Sequence, residues 1–267
     1  MLFRSLLADP QHLLTPQADP AFDRDVFLLR QQMLRISEKY DVCDEQGQKI
    51  VFVERPAHLL RNLGAILAGL IAASAFLVLC VAGADAMKGS ALESILIALG
   101  AIGFFPVLFL VAVPLSAKRH VTFYRDQSKR ERLLEILQDK KFQPIVATYT
   151  VRDSRGKPLA HFAKNYLYNV FRKRWYVKAP DGTVLYMAKE DSIILSLLRR
   201  LIGPLLGILR TNFIICRGDS DEVIGEFNRK FTILDRYVLD LKADRTRSLD
   251  RRVALALGVM LDTGERR

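Results

Sequence analysis

The chain has 267 residues, half of them hydrophobic and 26% charged, with a net charge of +11. Three scattered cysteines, Cys43, Cys80 and Cys216, exclude a disulfide framework and a cysteine metal site. The excess base predicts an anionic partner, phospholipid head groups in the first place, with nucleic acid the disfavoured rival.

Met1 to Gln32 holds no continuous apolar run of the kind a cleavable signal needs. Residues 1–24 read as an N-terminal extension. A hairpin follows: Tyr40-Asp-Val-Cys-Asp-Glu-Gln-Gly47, then Lys49 to Arg55. Asp tolerates a tight turn and Gly supplies positive φ, so the unit reads strand, turn, strand.

Leu63–Gly83 and Ser94–Ser116 contain no charged residue. About 20 apolar helical residues cross a hydrocarbon core, so each stretch is long enough to span a bilayer. A short link with Asp85, Lys88 and Glu93 joins them. Residues 58–120 therefore read as a transmembrane helical hairpin with spans at about 63–83 and 94–116. Two buried core helices are the alternative, disfavoured because charge-free runs of this length are rare in soluble folds. Arg55 and Arg61 precede the first span, and Lys118, Arg119, Arg125, Lys129, Arg130 and Arg132 follow the second. That asymmetry predicts two spans with both termini cytoplasmic, in a plasma or bacterial inner membrane.

Gly64, Ala68 and Ala72 share a four-residue spacing, as do Ala65, Gly69 and Ala73. Small residues so spaced let two helices approach closely. Pro106 predicts a kink in the second span. Neither span holds an ionisable group at mid-depth, which argues for an anchor rather than a pump.

Ser128-Lys-Arg-Glu131 has the form of a capping box, which predicts a helix through Leu133, Leu134, Ile136 and Leu137. Two hairpins then repeat the first: Tyr149 to Gly156 with Pro158 to Lys164, and Trp175 to Gly182 with Val184 to Lys189. Asp191 is placed to cap a helix over Ser192–Ile202, ended by Gly203-Pro204. Its apolar face suits either the bilayer surface or the sheet. A looser hairpin joins Phe213–Gly218 to Val223–Lys230. Last, Asp250 is placed to cap Val253–Leu261, apolar on every side and therefore buried. Among so many strands, the place for it is the inside of a barrel. Residues 25–57 and 121–262 are thus expected to form one split antiparallel β domain, followed by a tail at 263–267.

No catalytic constellation, metal site or cofactor is expected. His12, His58, His120 and His161 lie far apart in sequence, and no glycine-rich phosphate loop is present. The leading candidate surface is Arg172, Lys173, Arg174, Trp175, Tyr176 and Lys178. Basic residues interleaved with aromatics suit a phosphate-bearing head group; they also suit a solvated hairpin edge with a core Trp.

Three segments carry a family resemblance. They are Leu29-Arg-Gln-Gln32 leading to Ile36–Asp44, Ile224-Gly-Glu-Phe-Asn-Arg-Lys230, and Asp250–Leu257. In this order they resemble the LURP-one-related and phospholipid scramblase family, whose domain is similar to the tubby C-terminal domain. The resemblance implies a mainly β fold, a closed barrel of about twelve strands around a hydrophobic C-terminal helix. It implies phosphoinositide-type contacts at Arg229 and Lys230, residues that equally suit a blunted strand edge. Where that family has an acidic calcium segment, Asp235–Asp240 holds two carboxylates and an Arg, too few oxygens for calcium. The family's single span also differs from the hairpin here. The expected function is a membrane-anchored, non-catalytic barrel that contacts or rearranges phospholipid. The alternative is an anchored scaffold binding another protein.

Overall fold

The computed structural model describes residues 19–32, 38–170, 173–190, 213–218, 220, 222–230 and 236–263. Their strands close into one antiparallel barrel. β1 (Val26–Gln31), β2 (Glu38–Cys43) and β3 (Lys49–Arg55) come first, and two long helices follow, α1 (Leu59–Ala86) and α2 (Ala91–Leu115). The sheet resumes with β4 (Val121–Tyr124), β5 (Arg132–Gln138), β6 (Val146–Asp153) and β7 (Pro158–Asn165). It ends with β8 (Arg174–Lys178), β9 (Val184–Glu190), β10 (Phe213–Arg217), β11 (Val223–Lys230) and β12 (Arg236–Asp240), before helix α3 (Arg251–Thr263).

Each strand pairs with the next, and β1 closes the ring on β12 from Val26↔Asp240 to Arg30↔Arg236. Closure removes the exposed sheet edges that invite aggregation. β3 pairs with β4 directly, so α1 and α2 leave and re-enter the ring between two neighbouring strands. The strands before and after the helices share one sheet. Their joins are β1 to β12 and β3 to β4; among the described strands, β2 and β3 pair with none beyond residue 142.

Antiparallel order gives the barrel two unlike ends. The near end carries α1, α2 and the loop residues 139–145, 166–170 and 173. The far end carries tight turns, in which Gly47, Gly156 and Gly182 adopt φ of 84°, 82° and 93°. L residues rarely adopt that region, which is why glycine ends each turn. In two of the turns one Asp organises the loop. Asp44 Oδ1 accepts from Gln48 N at 2.8 Å, and Asp153 Oδ1 accepts from Lys157 N at 2.8 Å. A one-residue register shift precedes each turn, at Val42/Cys43, Val151/Arg152 and Val177/Lys178.

The interior is filled by alternate strand residues, among them Phe27, Leu29, Tyr40, Phe123, Leu134, Ile136, Phe162, Trp175, Phe227 and Leu239. All thirteen residues of α3 are buried, and its apolar ones, Val253 to Leu257 and Val259 to Leu261, pack among these side chains. The two ends of α3 are tied to opposite barrel ends. Asp250 Oδ1 accepts from Arg252 N at 2.9 Å, capping its first turn, and Arg251 binds Asp25, just before β1, at 2.7 Å. At its other end Thr263 O accepts from Arg55 Nη1 at 2.9 Å, and Tyr40 donates to Asp262. Gly258 lets the helix approach β11: a Cβ there would stand 3.3 Å from the Phe227 ring.

One expected element is corrected. Residues 132–138 form β5, not a helix. Ser128 does not cap; its N–H donates to Asp126 Oδ1 at 2.7 Å, within a turn where Lys129 takes φ 59°. Leu134 and Ile136 point inward, and pairing to β4 and β6 satisfies the backbone on both sides. Long-range pairing here outweighs local helix preference. The helix expected over Ser192–Ile202 lies outside the described residues.

Candidate functional site

α1 and α2 are apolar except near their ends, where Arg61, Asn62, Asp85 and Glu93 lie, and they pack mainly against each other. One of the two small-residue registers makes the contact. Ala65, Gly69, Ala73, Cys80 and Ala84 are buried, whereas Gly64 has nothing within 4 Å of where a side chain would start. A Cβ on Gly69 would lie 2.8 Å from Leu108 O, and one on Gly100 would lie 2.9 Å from Cys80 Cβ. Glycine is therefore what permits this spacing. α2 runs through both Pro106 and Pro114 as one helix. The outward faces are large and apolar: Leu60, Ile71, Leu79, Ile102 and Leu110 are each at least 71% exposed. Core helices of soluble domains hide such residues, and both helices are long and apolar enough to cross a membrane.

Polar contacts fix this pair to the barrel. Asn62 donates to Ala57 O and accepts from Ala117 N at 3.0 Å, bridging the start of α1 to the end of α2. The last carbonyls of a helix lack internal partners. Here Leu115 O accepts from Arg61 Nε at 3.1 Å, and Pro114 O accepts from Lys141 Nζ. Both donors are cations, favourable at the negative end of a helix dipole. Lys118 Nζ donates to Asp139 O at 2.7 Å, and Gln138 Oε1 accepts from Arg119 N at 2.8 Å. His120 Nδ1 accepts from Gln138 N at 3.2 Å. Burial, then the Lys118 and His58 charges, hold the His120 imidazole below its ordinary pKa, so it stays neutral and can accept.

The expected basic-aromatic cluster is split. Arg172 lies outside the described residues. Arg174 is exposed at the near end of β8, its backbone N–H and C=O both bonded to the Asn169 side chain. Lys173 is beside it, with its N–H donating to Glu190 Oε2. Tyr176 is half-buried, and Lys178 sits at the opposite end of the strand. Trp175 is corrected: it is fully enclosed, with its ring 6.0 Å from that of Tyr149 and 5.3 Å from Lys164 Nζ. Strand alternation sends Trp175 and Val177 inward, so the indole cannot lie among head groups. Arg229 and Lys230 form the near end of β11, in register with Tyr237 and Arg236; their side chains lie outside the description.

Two groupings were not foreseen. At the near end Phe142, Ile145, Val146, Leu167 and Tyr168 are all exposed large apolar residues on the barrel itself. Between strands β5 to β7, Asp139 Oδ1 accepts from the Thr150 hydroxyl at 2.7 Å, and that hydroxyl lies 3.1 Å from His161 Nδ1. Asp139 and His161 border a groove of about 220 Å³ that Lys178 also lines. Residues so distant in sequence meet only through strand register. Charge is also divided between the ends. Among the described near-end loop residues, Lys118, Arg119, Lys140, Lys141 and Lys173 face one carboxylate, Asp139. The far end holds Asp23, Asp25, Asp44, Glu45, Asp181 and Asp244 interleaved with cations that include Arg24, Arg125, Lys129, Lys157, Lys242 and Arg247. A second groove there, of about 290 Å³, has its cations matched: Arg247 to Asp23, Lys242 to Glu45 and Arg24 to Asp44. Among the described residues no cluster of three His, Cys, Asp or Glu side chains is placed to hold a metal ion. No protein-family model, curated protein or solved structure matches this chain.

Proposed function

We propose that this chain is a membrane-anchored, scramblase-like barrel that contacts or rearranges phospholipid without covalent chemistry. α1 and α2 cross the bilayer as a hairpin, and the barrel lies on the cytoplasmic side, of a plasma or bacterial inner membrane, with both termini there. The observation that carries this is one juxtaposition: two outward-apolar helices leave the barrel at its basic end. Anionic lipid would attract the cations at that end, each Lys or Arg contributing about 1 kcal/mol. α3 acts as an axial plug, holding the barrel closed from within, as in the tubby-like domains that the sequence resembles.

The test uses the full chain reconstituted in vesicles that carry fluorescent phospholipid in both leaflets. A membrane-impermeant reductant bleaches the outer leaflet alone unless lipid is exchanged between leaflets. Bleaching of the inner pool supports rearrangement. Integration without inner-pool bleaching reduces the function to lipid contact or to an anchored protein scaffold. Release of the chain by alkaline extraction would overturn the membrane reading itself.

A further inference from the structure

We infer that the barrel makes a second membrane contact of its own, in which Phe142, Ile145, Leu167 and Tyr168 enter the head-group region of an anionic leaflet. This rests on the membrane reading above and adds to it the orientation of the barrel. The four side chains are 51 to 74% exposed, on loops of the barrel rather than on the spanning helices. Elsewhere on the described barrel, the exposed large hydrophobics are Val146 beside them and the marginal Leu185 and Val223 at the far end.

The patch is continuous. Ile145 O accepts from Tyr166 N at 2.8 Å, which joins the β5–β6 loop to the one after β7. Val146 pairs with Asn165, whose side chain accepts from Leu167 N at 3.0 Å. Asn169, next in the chain, holds the exposed Arg174. The patch is also rigid. Gln143, beside Phe142, accepts from Thr148 N at 2.9 Å and donates back to Thr148 O at 3.2 Å. Phe142 is therefore presented beside a residue whose side chain is bonded across the loop to β6.

Position selects the occupant. Lys141, the residue before Phe142, donates to Pro114 O in the last turn of α2. The patch thus begins where the spanning helix ends, at the level of the bilayer surface. Lys140, Lys141 and Arg174 border it. An apolar surface rimmed by cations, continuous with a membrane-crossing helix, fits an anionic lipid surface. Tyr168 suits that depth, since its ring is apolar and its hydroxyl reaches water. The helix pair and the patch are two separate attachments, so the barrel would stand on its near end, with the far-end turns away from the bilayer, rather than hang from a single stalk.

The experiment reads depth on the full chain. Cys43, Cys80 and Cys216 are replaced by Ala, and single cysteines are introduced as Phe142→Cys, Tyr168→Cys, Ile71→Cys and Ser154→Cys. Each carries an environment-sensitive fluorophore, in vesicles of phosphatidylcholine with phosphatidylserine and a lipid-borne quencher at head-group depth. Quenching and a blue shift are expected at 142 and 168, and neither at 154 on the far end. Lys140→Gln with Lys141→Gln should weaken this docking by roughly fivefold per cation, and high salt should act in the same direction. Unquenched labels at 142 and 168, with the label at 71 buried in lipid, would overturn the second contact and leave the anchor standing. That result would give the patch to a protein partner. A label at 71 in water would overturn the membrane reading. Equal quenching on pure phosphatidylcholine would overturn the role of anionic lipid.

Discussion

Asp244 is fully enclosed at the point where the chain turns into α3. Its carboxylate accepts from Ser248 N and Leu249 N at 3.0 Å each, and binds Arg251 at 2.8 Å. Burial pushes the carboxyl up, and these donors outweigh it, holding the group below its ordinary value of 3.8. A depressed carboxylate contributes stability above its unfolded pKa and loses it as pH falls through the folded one. Melting of the full chain in micelles should therefore change little from pH 7 to about pH 5, then fall steeply below about pH 4. Asp244→Asn should lower stability by about 3 kcal/mol at pH 7, because Arg251 loses a buried partner, and should flatten the acid limb. An unchanged acid limb in the variant would assign it to other carboxylates, such as Asp41 and Glu54, which are also held low.

Glycines govern the helix pair at the scale of the element. Gly69 and Gly100 sit where a Cβ would meet backbone or the facing helix, and Gly64 faces open space. Gly69→Leu and Gly100→Leu should each cost about 1–3 kcal/mol by overpacking, read as a loss of thermal stability in micelles. Gly64→Leu should be nearly silent, and equal effects at all three would mean that the helices do not pack through this face. α3 poses the same question for the barrel. Leu257 is wholly enclosed. Leu257→Asp places an unpaired charge among aliphatic and aromatic side chains, at a cost of several kcal/mol, and should leave no protease-resistant barrel. A variant as resistant as the parent chain would show α3 to be dispensable.

The whole molecule is polarised along the barrel axis. Among the described residues, exposed apolar groups and cations with few carboxylates occupy the end that carries α1 and α2, whereas at the turns opposite cations are interleaved with carboxylates. With Lys and Arg excess facing the cytoplasm, the link at 87–90 should lie outside and the far-end turns inside. Ser90→Cys, in the same cysteine-free background, should label in intact cells with an impermeant reagent. Ser154→Cys should label only after permeabilisation, and the reverse pattern would invert the orientation.

The parts of this protein legible in its sequence are those decided by short-range physics. An aromatic residue, an Asp and a Gly within one short stretch specify a turn wherever it lies, and Tyr40–Gly47, Tyr149–Gly156 and Trp175–Gly182 each form one. The charge-free runs are legible for the same reason, since desolvation is summed residue by residue along a helix. Leu133–Leu137 is different. Its apolar spacing satisfies helix and strand alike, and only the pairing with β4 and β6 decides for a strand. The choice of Ala65, Gly69 and Ala73 over Gly64, Ala68 and Ala72 as the contact stripe came from the facing helix, because both registers read identically in one chain. Tertiary structure alone took Trp175 into the core and left Arg174 outside. It also brought Asp139, Thr150 and His161 within bonding distance, and gathered Phe142, Ile145, Leu167 and Tyr168 beside the end of α2. Each of these outcomes depends on which strands become neighbours, and strand pairing is settled by contacts between residues far apart in the chain.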